Sequence, residues 1–143
     1  MPEDHFRKLE RMYLAAPTNQ YYRPEIRVGN GTAEVRIAVR PDFFHAAHAV
    51  HGSVYFKALD DATFFAASSV VDDVFMLTTG FNLSLLRPVT EGMLTATGRV
   101  VHRSKRLVIA DGVLVDDRGK DVARGTGTFL PSTIRLSDDL GYR

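Results

Sequence analysis

The sequence predicts an α+β domain in which an antiparallel sheet curls around one buried helix. Residues 52–70, GSVYFKALDDATFFAASSV, are apolar on nearly every side of a helical period and are interrupted mainly by Lys57, Asp60 and Asp61. A helix that is apolar all round is a buried one. The chain after it reads as a series of strand-like runs joined by short linkers, so the sheet must supply the cover. With 143 residues, 45% hydrophobic and 24% charged, the composition fits one domain over residues 1–143 and leaves little room for a second.

The elements follow in order. Phe6, Leu9, Tyr13 and Ala16 recur at helical spacing and Pro17 stops the pattern, which predicts a short amphipathic helix at about residues 3–16, packed on a surface. Between Tyr21 and Arg40 two extended runs flank Gly29-Asn30-Gly31, residue types that tolerate positive φ in a tight turn. Pro24 puts the first run at a sheet edge or makes it irregular. The second alternates Ala33, Val35, Ile37 and Val39 against Glu34, Arg36 and Arg40, the pattern of a half-buried strand. After the buried helix, strands are expected at 75–86, 93–102, 106–115 and 121–130, with turns at Arg87-Pro88, Ser104-Lys105 and Asp117-Arg118-Gly119. The run 75–86 splits by parity: Phe75, Leu77, Phe81, Leu83 and Leu85 on one face, Thr78, Gly80, Asn82 and Ser84 on the other.

Charge and cysteine usage remove several function classes. Lys plus Arg total 18 against 17 for Asp plus Glu, a net +1 that supplies no basic field for nucleic acid. The absence of cysteine excludes disulfides, thiolate metal sites and cysteine nucleophiles, and fits a reducing compartment. No apolar run approaches the ~20 residues of a membrane span, and the opening MPEDHFRKLE is acidic where a signal peptide is basic. The expectation is a soluble cytoplasmic protein with neither nucleic-acid nor membrane partner.

Sharp catalytic motifs are missing: no phosphate-binding loop with its lysine, no nucleophile elbow, no HExxH. Attention falls on His45, His48, His51 and Gly52, and on Asp60 and Asp61. Three histidines at intervals of three suggest a metal only if all the rings converge, and His51 sits where the next helix starts and the chain turns. Backbone-satisfied histidines are the competing reading, and no metal is expected. Asp61 lies four residues after Lys57 and can pair with it on one face. Asp60, rotated by about 100°, shares its face with Ser53, Phe56, Phe64 and Ala67 and has the poorer structural excuse. Nine residues before it, His51-Gly52-Ser53 marks a helix N-terminus, whose free N–H groups can hold an oxyanion. A carboxylate base near an oxyanion site is the minimum for hydrolysing an activated acyl group; a carboxylate buried and satisfied for structure alone is the alternative.

HGSVYFKALDDATFFAAS, followed by the segment from Asn82 to Phe129, resembles the hotdog-fold acyl-CoA thioesterases of the phenylacetate-pathway (PaaI-like) type. The carriers are His51-Gly52, Asp60 nine residues after the His, Leu86-Arg87-Pro88 and Gly92, and the similarity covers roughly residues 33–130. The resemblance implies that Asp60 activates water or attacks the thioester, that the Gly52 N–H holds the thioester oxygen, and that His51 orients the turn. A small hydroxyl residue, brought in the family from the neighbouring subunit, falls on Thr78, or on Thr79 after a slip of one. His45 stands where the family has Asn, and Ser53 replaces the second Gly of the HGG turn, where it can cap the helix. Ser53 and Asn82 are the expected substrate contacts, with Arg103, Lys105 and Arg106 at a hairpin tip as a phosphate site for coenzyme A. No cofactor is implied, the substrate is an acyl-CoA, and the implied assembly is a homodimer or dimer of dimers. A hotdog hydroxyacyl-thioester dehydratase, using His45 or His51 with Asp60, and a non-catalytic acyl-CoA-binding module are the competing functions.

Overall fold

A computed structural model describes residues 2–143. Helix α1 (Pro2–Ala15) and the single turn α2 (Asn19–Tyr22) precede a hairpin of β1 (Glu25–Gly29) and β2 (Thr32–Ala38). A 3-10 turn (Pro41–Phe43) and a loop lead to α3 (Gly52–Ser69), and β3 (Val74–Leu85), β4 (Met93–Arg103), β5 (Val108–Val115) and β6 (Asp121–Arg135) follow. A second 3-10 turn, Asp138–Leu140, is the last element. The six strands form one antiparallel sheet in the order β1-β2-β4-β5-β6-β3, with α3 packed against it as its central helix. This is the wrapped-helix α+β architecture expected from the sequence.

The sheet can close on α3 because it carries glycine where the helix crosses. A Cβ on Gly98 of β4 would lie 2.4 Å from the Ala62 carbonyl oxygen, and one on Gly112 of β5 would lie 2.9 Å from the Leu59 and Thr63 side chains. Ala58, Leu59, Ala62 and Ala66 on the helix are completely buried, as are Ile37, Leu94, Leu114 and Phe129 from the strands. At ~25 cal/mol per Å² of apolar surface, this shared core is the main source of stability. The polar Thr63 is tolerated there because its hydroxyl donates back to the Leu59 carbonyl at 2.8 Å. Helix α1 inserts Phe6, Leu9, Met12 and Tyr13 into the same core, and the C-terminal segment folds back onto it, with the Tyr142 hydroxyl 2.7 Å from His5 Nδ1.

Two details depart from the sequence pattern. Strand β6 runs to Arg135, through Pro131, instead of stopping near Leu130. Pairing with β5 ends at Phe129, so Pro131 has a strand neighbour on one side only, where a missing N–H costs little. In β3 the parity breaks. Its register against β6 shifts between Thr78 and Gly80, and a bulge reverses which residues face the core. Thr78 therefore points at α3 before the bulge, while Phe81 and Leu85 do so after it. Among the described residues, no helix is long and apolar enough to cross a membrane.

Candidate active site

Asp60 sits in the middle of α3, partly buried, with Oδ1 accepting the Thr78 hydroxyl at 2.9 Å. Burial pushes its carboxyl from the usual 3.8 up to about 6; the Thr78 hydrogen bond and the Lys57 ammonium oppose that rise and the adjacent Asp61 adds to it. The Thr78 contact is made within one chain. Thr79 instead donates to the Thr128 carbonyl of β6.

The carboxylate opens into a cleft of about 770 Å³ between α1, α3, the start of β3 and the C-terminal segment. Its walls are mainly apolar, with Met12, Phe64, Phe65, Phe75 and Leu77 among them. Lys57, Asp60, Asp61 and Thr78 stand among these walls, a small set of polar groups in an apolar cleft, as in sites for small organic ligands. Asp61, on the next face of the helix, is bound elsewhere: its Oδ2 accepts the Tyr13 hydroxyl at 2.5 Å and pairs with Lys57 Nζ at 2.8 Å. Lys57 as the partner follows from the i, i+4 spacing; Tyr13, forty-eight residues away, carried no local signal.

The helix N-terminus is capped by His51 and not by Ser53, which lies inside the helix and donates its N–H to the cap. His51 is extended, and its Nδ1 accepts the Ser53 N–H at 3.0 Å and lies 2.8 Å from the Ser53 hydroxyl, so the ring proton resides on Nε2. Gly52 packs against Leu85 of β3: a Cβ there would lie 2.9 Å from Leu85 Cδ1, so the leucine end would have to shift. His45 Nδ1 accepts the Ala47 N–H at 3.0 Å, and its ring centroid is 6.5 Å from that of His51. His48 adopts a left-handed φ of 67° in the intervening loop. Among the described residues no three histidine, aspartate or glutamate side chains gather around a common point.

Within one chain these parts do not all meet. Gly52 and Asp60 are eight residues apart on one helix, about 12 Å along its axis, too far for both to contact one thioester carbonyl. Asn82 also lies apart from Asp60, on the outer face of the sheet beside Ser84, Asp111 and Arg124, because the bulge turns its side chain away from the helix. Arg103, Lys105 and Arg106 are exposed at the β4–β5 hairpin; the first two border a separate cleft near the end of α3 that also contains Asp72 and Asp73. Met76 forms part of the wall of both clefts. Not foreseen from the sequence are the contributions of Tyr13 and of Asp138, Leu140 and Arg143 to the acid-bearing cleft.

The fold recurs in known proteins. The profile of the Thioesterase superfamily matches residues 47–123, which take in the helix with Asp60 and the strands through β5. The Saccharolobus solfataricus protein named "Putative esterase SSO2140" is 24% identical over 131 residues, 89% of this chain and 92% of that protein. Among solved structures, the E. coli PaaI protein from the phenylacetic acid degradation operon superposes with a TM-score of 0.86 at 22% identity, covering 95% of this chain and 99% of the other. A phenylacetic acid degradation-related protein of Ralstonia eutropha JMP134 gives 0.78 at 27% identity, covering 88% and 98%. With the wrapped helix, the His-Gly turn and the mid-helix aspartate, these matches establish that the chain belongs to the thioesterase superfamily, as a PaaI-like hotdog hydrolase of thioester bonds.

Proposed function

We propose that the protein hydrolyses an acyl-CoA thioester to the free acid and coenzyme A, in a site completed by a second copy of the chain. The observation that carries the reading is Asp60: a carboxylate in an apolar cleft, aimed by the Thr78 hydroxyl. At neutral pH it is ionised and poorly solvated, the state in which a carboxylate is a strong base or nucleophile. As base it takes a proton from water while the hydroxide adds to the carbonyl; the tetrahedral intermediate then expels the CoA thiolate, which recovers the proton. As nucleophile it adds to the carbonyl and expels the CoA thiolate, leaving an acyl anhydride; water then opens the anhydride to the free acid and the Asp60 carboxylate, and a proton of that water ends on the thiolate. In either route the negative charge that develops on the carbonyl oxygen needs donors, and the Gly52 N–H at the start of α3 is the one assigned to it. His51 orients that turn, and His45 stands near it as a polar contact for the acyl end. The chain acts as a single domain, and a cytoplasmic setting agrees with its lack of cysteine.

The second copy answers the ~12 Å gap along the helix. Strand β3 is an edge strand of twelve residues whose outer backbone groups have no strand partner, and such an edge invites pairing. Along it, Thr78 marks the position of Asp60 and Leu85 that of Gly52. Antiparallel pairing of β3 with its own copy about Phe81 and Asn82 sets Thr78 opposite the partner subunit's Leu85, and so brings Asp60 towards the partner subunit's Gly52. Two equivalent sites per dimer follow from the twofold axis.

A thiol-release assay over a panel of acyl-CoA thioesters tests the function. Release of CoA at a rate proportional to enzyme supports hydrolysis. Loss of water from a hydroxyacyl thioester without CoA release would identify a dehydratase, and saturable binding without turnover a binding module. Light scattering at micromolar concentration should give at least a dimer; a strictly monomeric protein with full activity would exclude the shared site.

A further inference from the structure

Lys57 precedes Asp60 by one turn of α3 and is held on several sides. Its Nζ donates to Asp61 Oδ2 at 2.8 Å, and that oxygen also accepts the Tyr13 hydroxyl. The ammonium lies 5.4 Å from the Tyr13 ring centroid and 5.1 Å from that of Tyr22. Only 15% of the Lys57 side chain and 12% of the Asp61 side chain are exposed. A lysine at a solvated surface samples many rotamers; this one is fixed by a carboxylate and two aromatic faces in the wall of the cleft that contains Asp60.

The charge arithmetic gives this pair a role. Asp60 and Asp61 are consecutive carboxylates on a helix that is otherwise apolar, and two such groups in a poorly solvated site resist ionising together. We propose that Lys57 is a positioning residue of the hydrolysis: locked by Asp61, Tyr13 and Tyr22, it holds the carboxylate pair at a single net negative charge and so keeps Asp60 ionised at neutral pH. This rests on the assignment of Asp60 as base or nucleophile. Other groups share the surroundings. Asp61 is on the same helix, Tyr13 comes from α1, and Asp138, Asp139 and Arg143 come from the C-terminal segment. Strand β3 offers only the uncharged Thr78, and His45 and His51 of the second copy face the site across the proposed dimer. Asp61 is itself coupled to Lys57, whose ammonium holds its carboxyl down against burial, so the Asp61→Asn and double variants are needed beside Lys57→Met to separate the two charges.

The test is kcat against pH, from about pH 5 to pH 9, with a thermal melt of each variant on a single acyl-CoA. Lys57→Met should move the acid limb upward while the plateau at high pH persists. Asp61→Asn should move it downward, and Lys57→Met combined with Asp61→Asn should return it close to wild type. Lys57→Arg should keep the wild-type limb. A folded Lys57→Met with a lower melting temperature and an unmoved limb would reduce the pair to a structural tie between α1 and α3 and overturn the proposal. Should Lys57→Met alone not fold, the limb of Asp61→Asn must still lie below that of the double variant, and coincidence of the two would overturn it equally. Full turnover in Asp60→Asn would instead overturn the assignment of Asp60, whatever the limbs do.

Discussion

Replacing Asp60 with Asn removes the negative charge and keeps the size and an acceptor for the Thr78 hydroxyl, so chemistry and folding can be read separately. Loss of a base or nucleophile should cost about two to four orders of magnitude in kcat. The stability effect has the opposite sign. Burial lifts the Asp60 carboxyl from the usual 3.8 to about 6 in the folded protein. A carboxylate raised on folding favours the protonated fold, so stability is lost as pH rises from about 4 to 6, and the full penalty is present at pH 7. Two pH units correspond to ~3 kcal/mol; the partial exposure of Asp60 lowers this to about 2 kcal/mol. The variant should therefore melt at a temperature about 6 °C higher at pH 7, with the gain vanishing near pH 4. The assays are kcat by thiol release and thermal melts across that pH range. Near-wild-type turnover would refute the catalytic role, and a lower melting temperature at pH 7 would refute the electrostatic account of the helix.

The other expectations concern the groups around this carboxylate. Thr78→Val removes the hydroxyl that lowers the Asp60 pKa; the acid limb of kcat should move upward and the plateau fall about tenfold, and identical profiles would show that Thr78 does not act on Asp60. Gly98→Ala forces a Cβ to 2.4 Å from the Ala62 carbonyl oxygen, a backbone atom that cannot turn away, so a loss of ~3 kcal/mol is expected in a denaturant melt. Replacing Arg103, Lys105 and Arg106 together with Ala should raise KM about tenfold for CoA thioesters while leaving short thioesters without a nucleotide nearly unchanged. An equal response of both substrates would place the nucleotide elsewhere.

What the sequence determined by itself is local. An apolar stretch with no polar face could only be a buried helix, and its cap, its alanines and the Lys57–Asp61 pair all lie within a few residues of one another. The Gly29-Asn30-Gly31 hairpin and the edge position of β1 were legible for the same reason, because turn chemistry and Pro24 act on their own neighbourhood. The singling out of Asp60 also came from local physics, a carboxylate with no partner on its own helix face. Tertiary structure decided what closes around it. A bulge between Thr78 and Gly80 brought Thr78 to Asp60 and turned Asn82 to the outer face, and strict alternation along the strand cannot register an extra residue. Tyr13 reached Asp61, and the C-terminal segment reached the cleft, through contacts between segments far apart in the chain. Such contacts follow from how helices and sheet pack in three dimensions, which no periodicity within a single segment encodes.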